Sequence, residues 1–387
     1  MIKQESTSPI LCIVGARPNF MKIAPIMRAF AAERLPAMLL HTGQHYDRDM
    51  NDTFFNDLGI PKPDFNLGVG SGSHTQQTAQ IMLRVEPILN QLNPSAVLVV
   101  GDVNSTIACA LVSVKQGIPI IHVESGLRSN DRTMPEEINR ILTDQLSDLL
   151  FTTEPAALSN LQREGISPER VHLAGNVMID TLHFNLPRAI PYRTTIEHLG
   201  IADSLPTLTE GYALLTLHRP SNVDNLETLE SIVSTINQLA LQLPFIFPMH
   251  PRTRDRLERF NLLGKLDNKR IITTPPQGYL QLLGLMKDSR IVLTDSGGIQ
   301  EETTALGIPC LTLRENTERP ITIHQGTNTL VGRNPELILR AFHQGLEPNP
   351  KRSEPPKHWD GKAAIRIAAT VKAWLASLPQ NNHNAPS

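Results

Sequence analysis

Short apolar runs and longer segments of helical periodicity alternate along the whole chain. Several runs are apolar at consecutive positions, as expected of strands that helices cover on both faces of a sheet. Because strand and helix signals alternate, the pattern predicts an α/β fold with parallel sheets. The strands predicted in the first half are Ile10–Val14, Ala37–His41, Ala96–Val100, Ile118–Val123, Leu149–Thr152 and Val171–Leu173. Those predicted in the second half are Tyr212–Leu217, Phe245–Phe247, Ile271–Thr273, Ile291–Thr294, Cys310–Leu313 and Thr329–Val331.

The two halves of the chain repeat one local pattern. In the first half a strand ends at Gly101-Asp102, a helix follows, and Gly117-Ile118-Pro119 leads into the next strand. In the second half a strand ends at Asp295-Ser296, and Gly307-Ile308-Pro309 follows the helix. Glycine suits the end of a helix and proline the entry of a strand. The repeat supports two similar α/β domains, which a chain of 387 residues also favours.

The domain boundary is predicted near Gly175 to Asn185, before a segment rich in Pro and Thr with little periodicity. We therefore predict an N-terminal Rossmann-like domain over residues 1–178 and a C-terminal Rossmann-like domain over residues 179–361. A terminal helix over about 362–380, with Ile365 and Ala368 at helical spacing, is expected to pack back on the first domain.

Charge and composition narrow the range of partners. The formal net charge of -2 gives no strong field for nucleic acid or a membrane surface, so any phosphate site must be local. No segment approaches the roughly 20 apolar residues of a transmembrane helix, and the apolar run Ile10–Val14 is too short for the core of a signal peptide. Cys12, Cys109 and Cys310 form no zinc or disulfide pattern. We expect a cytoplasmic protein with buried, reduced thiols.

Polar segments follow several predicted strands, where open α/β sheets bind ligands. Arg17 and Lys22 lie at a helix N-terminus, where they either attract an anion or are solvated beside a capping turn. Asp102 read alone is best explained as a helix N-cap. Glu124 follows an apolar strand and is either paired or functional. These candidate segments are residues 15–22, 102–106, 122–140, 217–222 and 295–302.

Two of these segments carry further candidate chemistry. Glu136 begins a helix, which by itself indicates no more than a first-turn acid, and His218 follows a strand and precedes a helix. The segment Asp295–Glu302 contains two adjacent glycines at a helix start, with Ser296 beside them, which predicts a phosphate cradle or a tight turn. Glu302, one turn further on, is suited to hold ribose hydroxyls.

Several common catalytic motifs are missing from the chain, which argues against the chemistry that they carry out. No G-x-G-x-x-G follows a strand, and no Walker A motif is present, so hydride transfer with NAD and P-loop phosphoryl transfer are disfavoured. No G-x-S-x-G elbow marks a hydrolase, and no H-E-x-x-H marks a metalloprotease. His122 and Glu124 form an H-x-E pair, but no P-C-x-x-C follows, so no metal is predicted.

Together, the segments resemble the non-hydrolysing UDP-N-acetylglucosamine 2-epimerase family, from about Ile10 to Gly332. This resemblance implies the glycosyltransferase-B architecture, in which two Rossmann-like domains hold the active site in the cleft between them. The blocks that carry it are GARPNFMKIAPI (15–26), GDVNST (101–106), HVESGLRS (122–129), PEEINR (135–140), GN-x-x-ID (175–180), LHRPSNVDN (217–225), LTDSGGIQEE (293–302) and RENTERP (314–320).

The resemblance also implies roles for individual residues. Two departures from the family pattern, Asn19 and the stretch His218–Asn222, are expected to alter sugar preference at most. The implied catalytic residues are Asp102, Glu124, Glu136 and His218. The implied substrate- and UDP-binding residues are Arg17, Lys22, Arg140, Gln277, Ser296, Gly297, Gly298, Glu302 and Arg319. An allosteric substrate site is implied at Gln44 and His45.

The implied reaction is the reversible conversion of UDP-N-acetylglucosamine to UDP-N-acetylmannosamine, by elimination and re-addition of UDP through 2-acetamidoglucal. No cofactor is implied, and a homodimer is expected. Three carboxylates in one site are expected to repel one another, which would favour a proton on one of them. The alternatives are a 2-epimerase of a modified UDP-sugar, a hydrolysing 2-epimerase, a glycosyltransferase of the same architecture, and a regulator that binds nucleotide sugars without turnover.

Overall fold

The computed structural model describes residues 8–43, 59–347 and 355–378, apart from the side chains of Arg17, Leu205 and Pro206. The described chain divides into two compact units. The first unit extends to Thr181 and resumes at His358, and the second comprises Leu182–Lys357.

The first unit is built on one parallel sheet of seven strands. In spatial order the strands run β3-β2-β1-β4-β5-β6-β7, so β1 lies beside both β2 and β4. Their bounds are β1 Ile10–Val14, β2 Ala37–His41, β3 Phe65–Asn66, β4 Ala96–Val100, β5 Ile120–Ser125, β6 Leu149–Thr152 and β7 Val171–Leu173. The helices are α1 Arg17–Ala32, α2 His74–Leu92, α3 Asn104–Lys115, α4 Pro135–Leu146, α5 Pro155–Arg163 and α6 Val177–Asn185, which runs into the second unit.

The second unit repeats this plan with six parallel strands in the order β10-β9-β8-β11-β12-β13. The strands are β8 Ala213–Thr216, β9 Phe245–Pro248, β10 Ile271–Thr274, β11 Ile291–Thr294, β12 Cys310–Thr312 and β13 Asn328–Leu330. The helices are α7 Tyr192–His198, α8 Pro220–Val223, α9 Leu226–Ala240, α10 Pro251–Arg259, α11 Tyr279–Lys287, α12 Gly297–Leu306, α13 Ile321–His324 and α14 Pro335–Leu346.

The prediction of two Rossmann-like α/β domains is confirmed, and each predicted strand is present. β5 begins at Ile120 rather than Ile118, because residues 117–119 form the turn into it. The sequence pattern missed β3, whose two residues pair with Leu40 and His41 but are too few to show periodicity. The inner strands β1, β4 and β11 are wholly buried, as their consecutive apolar residues predicted, whereas the edge strands β3, β7 and β13 are partly exposed.

The repeated segments occupy the same place in both sheets. β1 and β4 are neighbours in the first sheet, and β8 and β11 are neighbours in the second. Gly101-Asp102 and Asp295-Ser296 follow β4 and β11, at the point where the strand order reverses. Ligands of open α/β sheets bind at such a point.

A terminal helix, α15 Ala363–Ser377, returns the chain to the first unit and packs against α1. The Asp180 carboxylate accepts the N–H groups of Ala363 and Ala364, at 3.0 and 2.7 Å. At Gly175 an added Cβ would lie 2.1 Å from the His358 carbonyl oxygen, so the crossing requires glycine. Ile365, which fitted the predicted helical spacing, is 59% exposed. The buried face of α15 is instead formed by Ala363, Ala364, Ile367, Ala368 and Val371.

Within the described segments, no helix has the length and apolar character that crossing a lipid bilayer requires.

Candidate active site

Lys22 and Glu124 form a buried ion pair at the carboxyl end of the first sheet. Nζ of Lys22, in α1, lies 2.7 Å from Oε2 of Glu124, near the end of β5. Glu124 has a positive φ of 72°, and the register between β5 and β6 shifts around it. Such a conformation is costly for a residue other than glycine and persists only where its surroundings hold it. The backbone at the end of β5 therefore adopts an unfavourable conformation to hold the Glu124 carboxylate in this position.

Gly101 makes room for this ion pair. Its φ is +69°, and an added Cβ would lie 3.1 Å from Nζ of Lys22. Gly101 thus satisfies two requirements, a left-handed backbone and close approach of a cation. The glycine that the sequence pattern associated with a strand end also shapes the site.

Asp102 is an ion-paired side chain rather than the predicted helix cap. Val103 occupies the N-cap of α3. Oδ2 of Asp102 accepts a hydrogen bond from Nη2 of Arg140 at 2.7 Å, and Nη1 of Arg140 donates to Glu137 at 2.5 Å. The cap interpretation was wrong because Arg140, 38 positions away on α4, offers a charged partner.

The two adjacent acids that begin α4 differ in role. The Glu137 carboxylate is buried and accepts the backbone N–H groups of Ser129 and Asn130, so it orders the preceding loop. Glu136 is half-buried, and its carboxylate has no hydrogen bond or ion pair within the described ranges. Glu136 is therefore the acid of this pair that remains available for chemistry.

Cations offset the repulsion expected among the three acids of this unit, because Asp102 and Glu124 each have one as a partner.

The side chain of Asn19 has a structural role. It is buried, its Oδ1 accepts the Ala16 N–H at 3.0 Å, and its Nδ2 donates to the Val100 carbonyl. This side chain ties the end of β1 to the end of β4.

His122 and Glu124 do not converge as a metal site would require. Glu124 contacts Lys22, whereas the ring of His122 contacts Asp144. Across residues 8–43, 59–347 and 355–378, no group of three or more His, Cys, Asp or Glu could hold one metal ion.

In the second unit, Asp295 anchors the segment that follows β8. Its carboxylate is fully buried and accepts the backbone N–H groups of His218 and Arg219 and the side-chain amide of Asn222. Nδ1 of His218 lies 2.7 Å from Oδ1. Burial acts to raise the pKa of Asp295, but the donors from His218 and Arg219 outweigh it and hold the pKa below its ordinary value.

The N-terminus of α12 is open. Ser296 is its N-cap, and its hydroxyl makes no capping hydrogen bond. Gly297 and Gly298 have ordinary helical φ values, and an added Cβ at either would meet nothing within 4 Å. Turn geometry therefore does not require these glycines. The free N–H groups and the open space above them favour an anion.

Glu302 lies on the same helix and is buried. Its Oε1 accepts a hydrogen bond from the Tyr279 hydroxyl at 2.9 Å. Burial raises the pKa of Glu302 to about 7, against the lowering effect of Tyr279 and with a contribution from Glu301. Gln277 lies two residues before Tyr279, and its amide donates to the Pro275 carbonyl at 2.8 Å. Gln277, Tyr279 and Glu302 thus belong to one neighbourhood.

Arg319 is already paired inside the second unit. Its Nε lies 2.6 Å from Oε1 of Glu301, and both side chains are largely buried. The predicted sites at Gln44 and His45 lie outside the described residues, and Arg17 is described only as the first residue of α1.

The sequence model of the UDP-N-acetylglucosamine 2-epimerase family matches residues 28–372 of this chain. The chain belongs to this family. A UDP-N-acetylglucosamine 2-epimerase of Methanococcus maripaludis is 43% identical over 351 residues, which are 90% of this chain and 92% of the relative. A UDP-2,3-diacetamido-2,3-dideoxy-D-glucuronate 2-epimerase of Pseudomonas aeruginosa is 40% identical over 363 residues, 93% of this chain and 98% of the relative.

A solved structure agrees with this membership. The crystal structure of Methanocaldococcus jannaschii UDP-GlcNAc 2-epimerase, in complex with UDP-GlcNAc and UDP, matches with a TM-score of 0.82 at 42% identity. The match covers 94% of this chain and 99% of that chain.

Sequence reasoning missed two polar residues that contact predicted site residues, Tyr279 beside Glu302 and His250 beside His218. Tyr279 gave no signal, because a lone tyrosine at a helix start is commonplace. His250 follows β9, and its ring centroid lies 5.7 Å from that of His218. Burial and the neighbouring His218 lower the pKa of His250. The strand-end rule that identified His218 would also have identified His250.

Proposed function

We propose that this chain interconverts UDP-N-acetylglucosamine and UDP-N-acetylmannosamine by inverting C2 of the sugar, as a non-hydrolysing isomerase without a cofactor. The observation that carries the proposal is the open, glycine-lined N-terminus of α12, with the buried carboxylate of Glu302 one turn further on. These features match a diphosphate and a ribose, respectively.

The C2–H bond of the sugar is of very low acidity, so the proposed route couples its cleavage to departure of UDP. A carboxylate takes the C2 proton, the electron pair forms the C1–C2 double bond, and the anomeric C–O bond breaks. UDP and 2-acetamidoglucal result. The reverse addition, with the proton delivered to the opposite face of C2, gives the epimer.

In the first unit we assign the proton transfers to the carboxylates of Asp102, Glu124 and Glu136. The pairing of Asp102 with Arg140, and of Glu124 with Lys22, supports their use as fixed carboxylates. Glu136 makes neither hydrogen bond nor ion pair within the described ranges, which leaves its carboxyl group free to exchange a proton. We include Arg17 and Lys22 as cations toward the substrate.

In the second unit we assign the leaving diphosphate to Ser296, Gly297 and Gly298. The helix N-terminus stabilises the negative charge that builds up as the C–O bond breaks. His218, oriented by Asp295, is proposed to assist that departure. We further propose Glu302 as the ribose contact, Gln277 as the uracil-side contact, and Arg319 as a sugar or phosphate contact.

Proton NMR of the purified protein with UDP-N-acetylglucosamine in heavy water tests this proposal. We expect UDP-N-acetylmannosamine to form, with deuterium at C2 of both sugars. Release of free N-acetylmannosamine and UDP would indicate the hydrolysing reaction. Absence of any change, despite UDP binding, would reject this substrate.

A second candidate substrate is a modified UDP-sugar such as a diacetamido uronate. The 40% identity to a UDP-2,3-diacetamido-2,3-dideoxy-D-glucuronate 2-epimerase is close to the 43% identity to a UDP-N-acetylglucosamine 2-epimerase. Identity alone therefore does not separate the two sugars. The ratio of kcat/KM values for the two sugars decides between them.

We also propose a cytoplasmic homodimer. Reduced, buried Cys12, Cys109 and Cys310 are compatible with a reducing compartment. Exposed apolar side chains on two helices that both pack against α3, Leu83 on α2 and Leu142 on α4, are compatible with a subunit contact. Cell fractionation and sedimentation equilibrium test these two points.

A further inference from the structure

His122 joins two elements that carry candidate catalytic residues. It lies in β5, and its side chain is fully buried. Nε2 lies 2.9 Å from the carbonyl oxygen of Gly101, and Nδ1 lies 2.7 Å from Oδ1 of Asp144. The carbonyl oxygen of Gly101 can only accept, so Nε2 donates to it, and Nδ1 shares a hydrogen bond with the Asp144 carboxylate. The side chain thereby links the end of β4 to α4.

Asp144 continues this network. Its Oδ2 accepts the Gly126 N–H at 3.1 Å and Nη2 of Arg128 at 2.7 Å. Arg128 also donates from Nε to Glu164 at 2.8 Å. Arg128 joins the carboxylates of Asp144 and Glu164, so the buried charges of this network are paired and hydrogen-bonded, which is the condition under which such charges are tolerated.

The network is bonded to the backbone next to Asp102 and to residues on both sides of Glu124, the two acids of the candidate site that have a cation as partner. Gly101 immediately precedes Asp102. Glu124 lies between His122 and Gly126 in the chain. Asp144 contacts both of these residues, one through each of its carboxylate oxygens. The positive φ of Glu124 needs such restraint, because an unrestrained chain would relax from it.

We propose that His122 and Asp144 are positioning residues, which fix the backbone of Asp102 and Glu124 for proton transfer at C2. The inference rests on the proposed function. Both side chains are fully buried, so they act through the two carboxylates rather than on the sugar. Arg128 supports them by holding the Asp144 carboxylate.

The test is Asp144→Asn, which preserves the shape of the side chain and removes its charge. We expect kcat to fall about 10- to 100-fold, as for partners that orient a reactive group. We expect KM and the Kd for UDP to stay unchanged, because the proposed UDP contacts belong to the second unit. The control is Ser113→Ala, which removes a buried hydroxyl bonded to the Cys109 carbonyl and should leave kcat unchanged.

A lower melting temperature with unchanged kcat per folded molecule would overturn the inference, because the network would then be only structural. A parallel loss of kcat and UDP affinity would overturn it too. If Asp144→Asn does not fold, Arg128→Lys provides the same comparison, since lysine lacks the fork that joins Asp144 and Glu164. Absence of C2 deuteration by the wild-type protein, with either candidate sugar, would instead reject the proposed function and the inference with it.

Discussion

The ring of His218 is held through Nδ1, which lies 2.7 Å from Oδ1 of the fully buried Asp295. The carboxylate also accepts the backbone N–H of His218 itself, at 3.0 Å, so side chain and main chain are fixed together. The ring is partly exposed, and its Nε2 has no hydrogen bond within the described ranges. A histidine held in this way presents one defined nitrogen to a ligand.

Asp295→Asn should therefore lower kcat at least about 10-fold, because the amide cannot hold the ring and all the backbone donors as the carboxylate does. Steady-state kinetics measure the effect. His218→Asn should cause a loss of similar size, and the double variant should lose little more than either single variant. Additive losses would show that Asp295 and His218 act separately.

The strands and their parallel arrangement in two domains were predictable, because consecutive apolar residues mark buried parallel strands and strand and helix signals alternate. The strand-end rule likewise located Lys22, Glu124 and His218 without coordinates. The pairing of Asp102 with Arg140 was not predictable from local pattern, since 38 positions separate them. A local cap competed with a distant cation, and the charged partner prevailed.

Some features of the site carry no sequence signal. The positive φ of Glu124 coincides with the register shift between β5 and β6, and a glutamate in the sequence gives no hint of it. Tyr279 reaches Glu302, 23 positions away on the next helix, only because the fold brings the two side chains together. Such contacts depend on tertiary packing rather than on residue spacing.

Variants of the ion pair between Lys22 and Glu124 can distinguish its effect on stability from its effect on activity. Lys22→Met should destabilise the protein by about 3 kcal/mol, because it leaves a buried carboxylate without this cation. Adding Glu124→Gln should recover much of that stability, since the unpaired charge is removed. Lys22→Met should be inactive, and the double variant should remain inactive although it is more stable. Denaturant unfolding and the heavy-water assay measure the two quantities, and recovery of activity with stability would contradict a role for Glu124 in proton transfer.

Glu302 should make stability depend on pH. Its pKa in the folded protein is raised from 4.5 to about 7, so the folded protein binds this proton more tightly than the unfolded chain. The resulting stabilisation is fully present below the unfolded pKa and is lost as the pH rises through the folded value. The shift corresponds to about 3 kcal/mol. Unfolding of the wild-type protein and of Glu302→Gln across this range measures the difference, which should disappear in the variant.

Tyr279→Phe is the matched comparison for this pH effect. The tyrosine hydroxyl stabilises the Glu302 carboxylate and lowers its pKa, so removing the hydroxyl should move the loss of stability to higher pH. An unchanged pH profile in Glu302→Gln would show that another group is responsible.

Substitution of glycines in and after α12 should affect UDP binding and protein stability differently. Gly297→Ala places a methyl group in open space, and alanine is the better helix former, so the melting temperature should be unchanged or slightly higher. UDP affinity should nevertheless fall about tenfold, or about 1.4 kcal/mol, because the methyl group occupies space that the diphosphate needs. Gly307→Ala is the opposite control. Its φ of +70° makes alanine costly at the end of the same helix, so stability should fall while UDP affinity is retained. Calorimetry of both variants with UDP measures the contrast, and full UDP affinity in Gly297→Ala would place the diphosphate elsewhere.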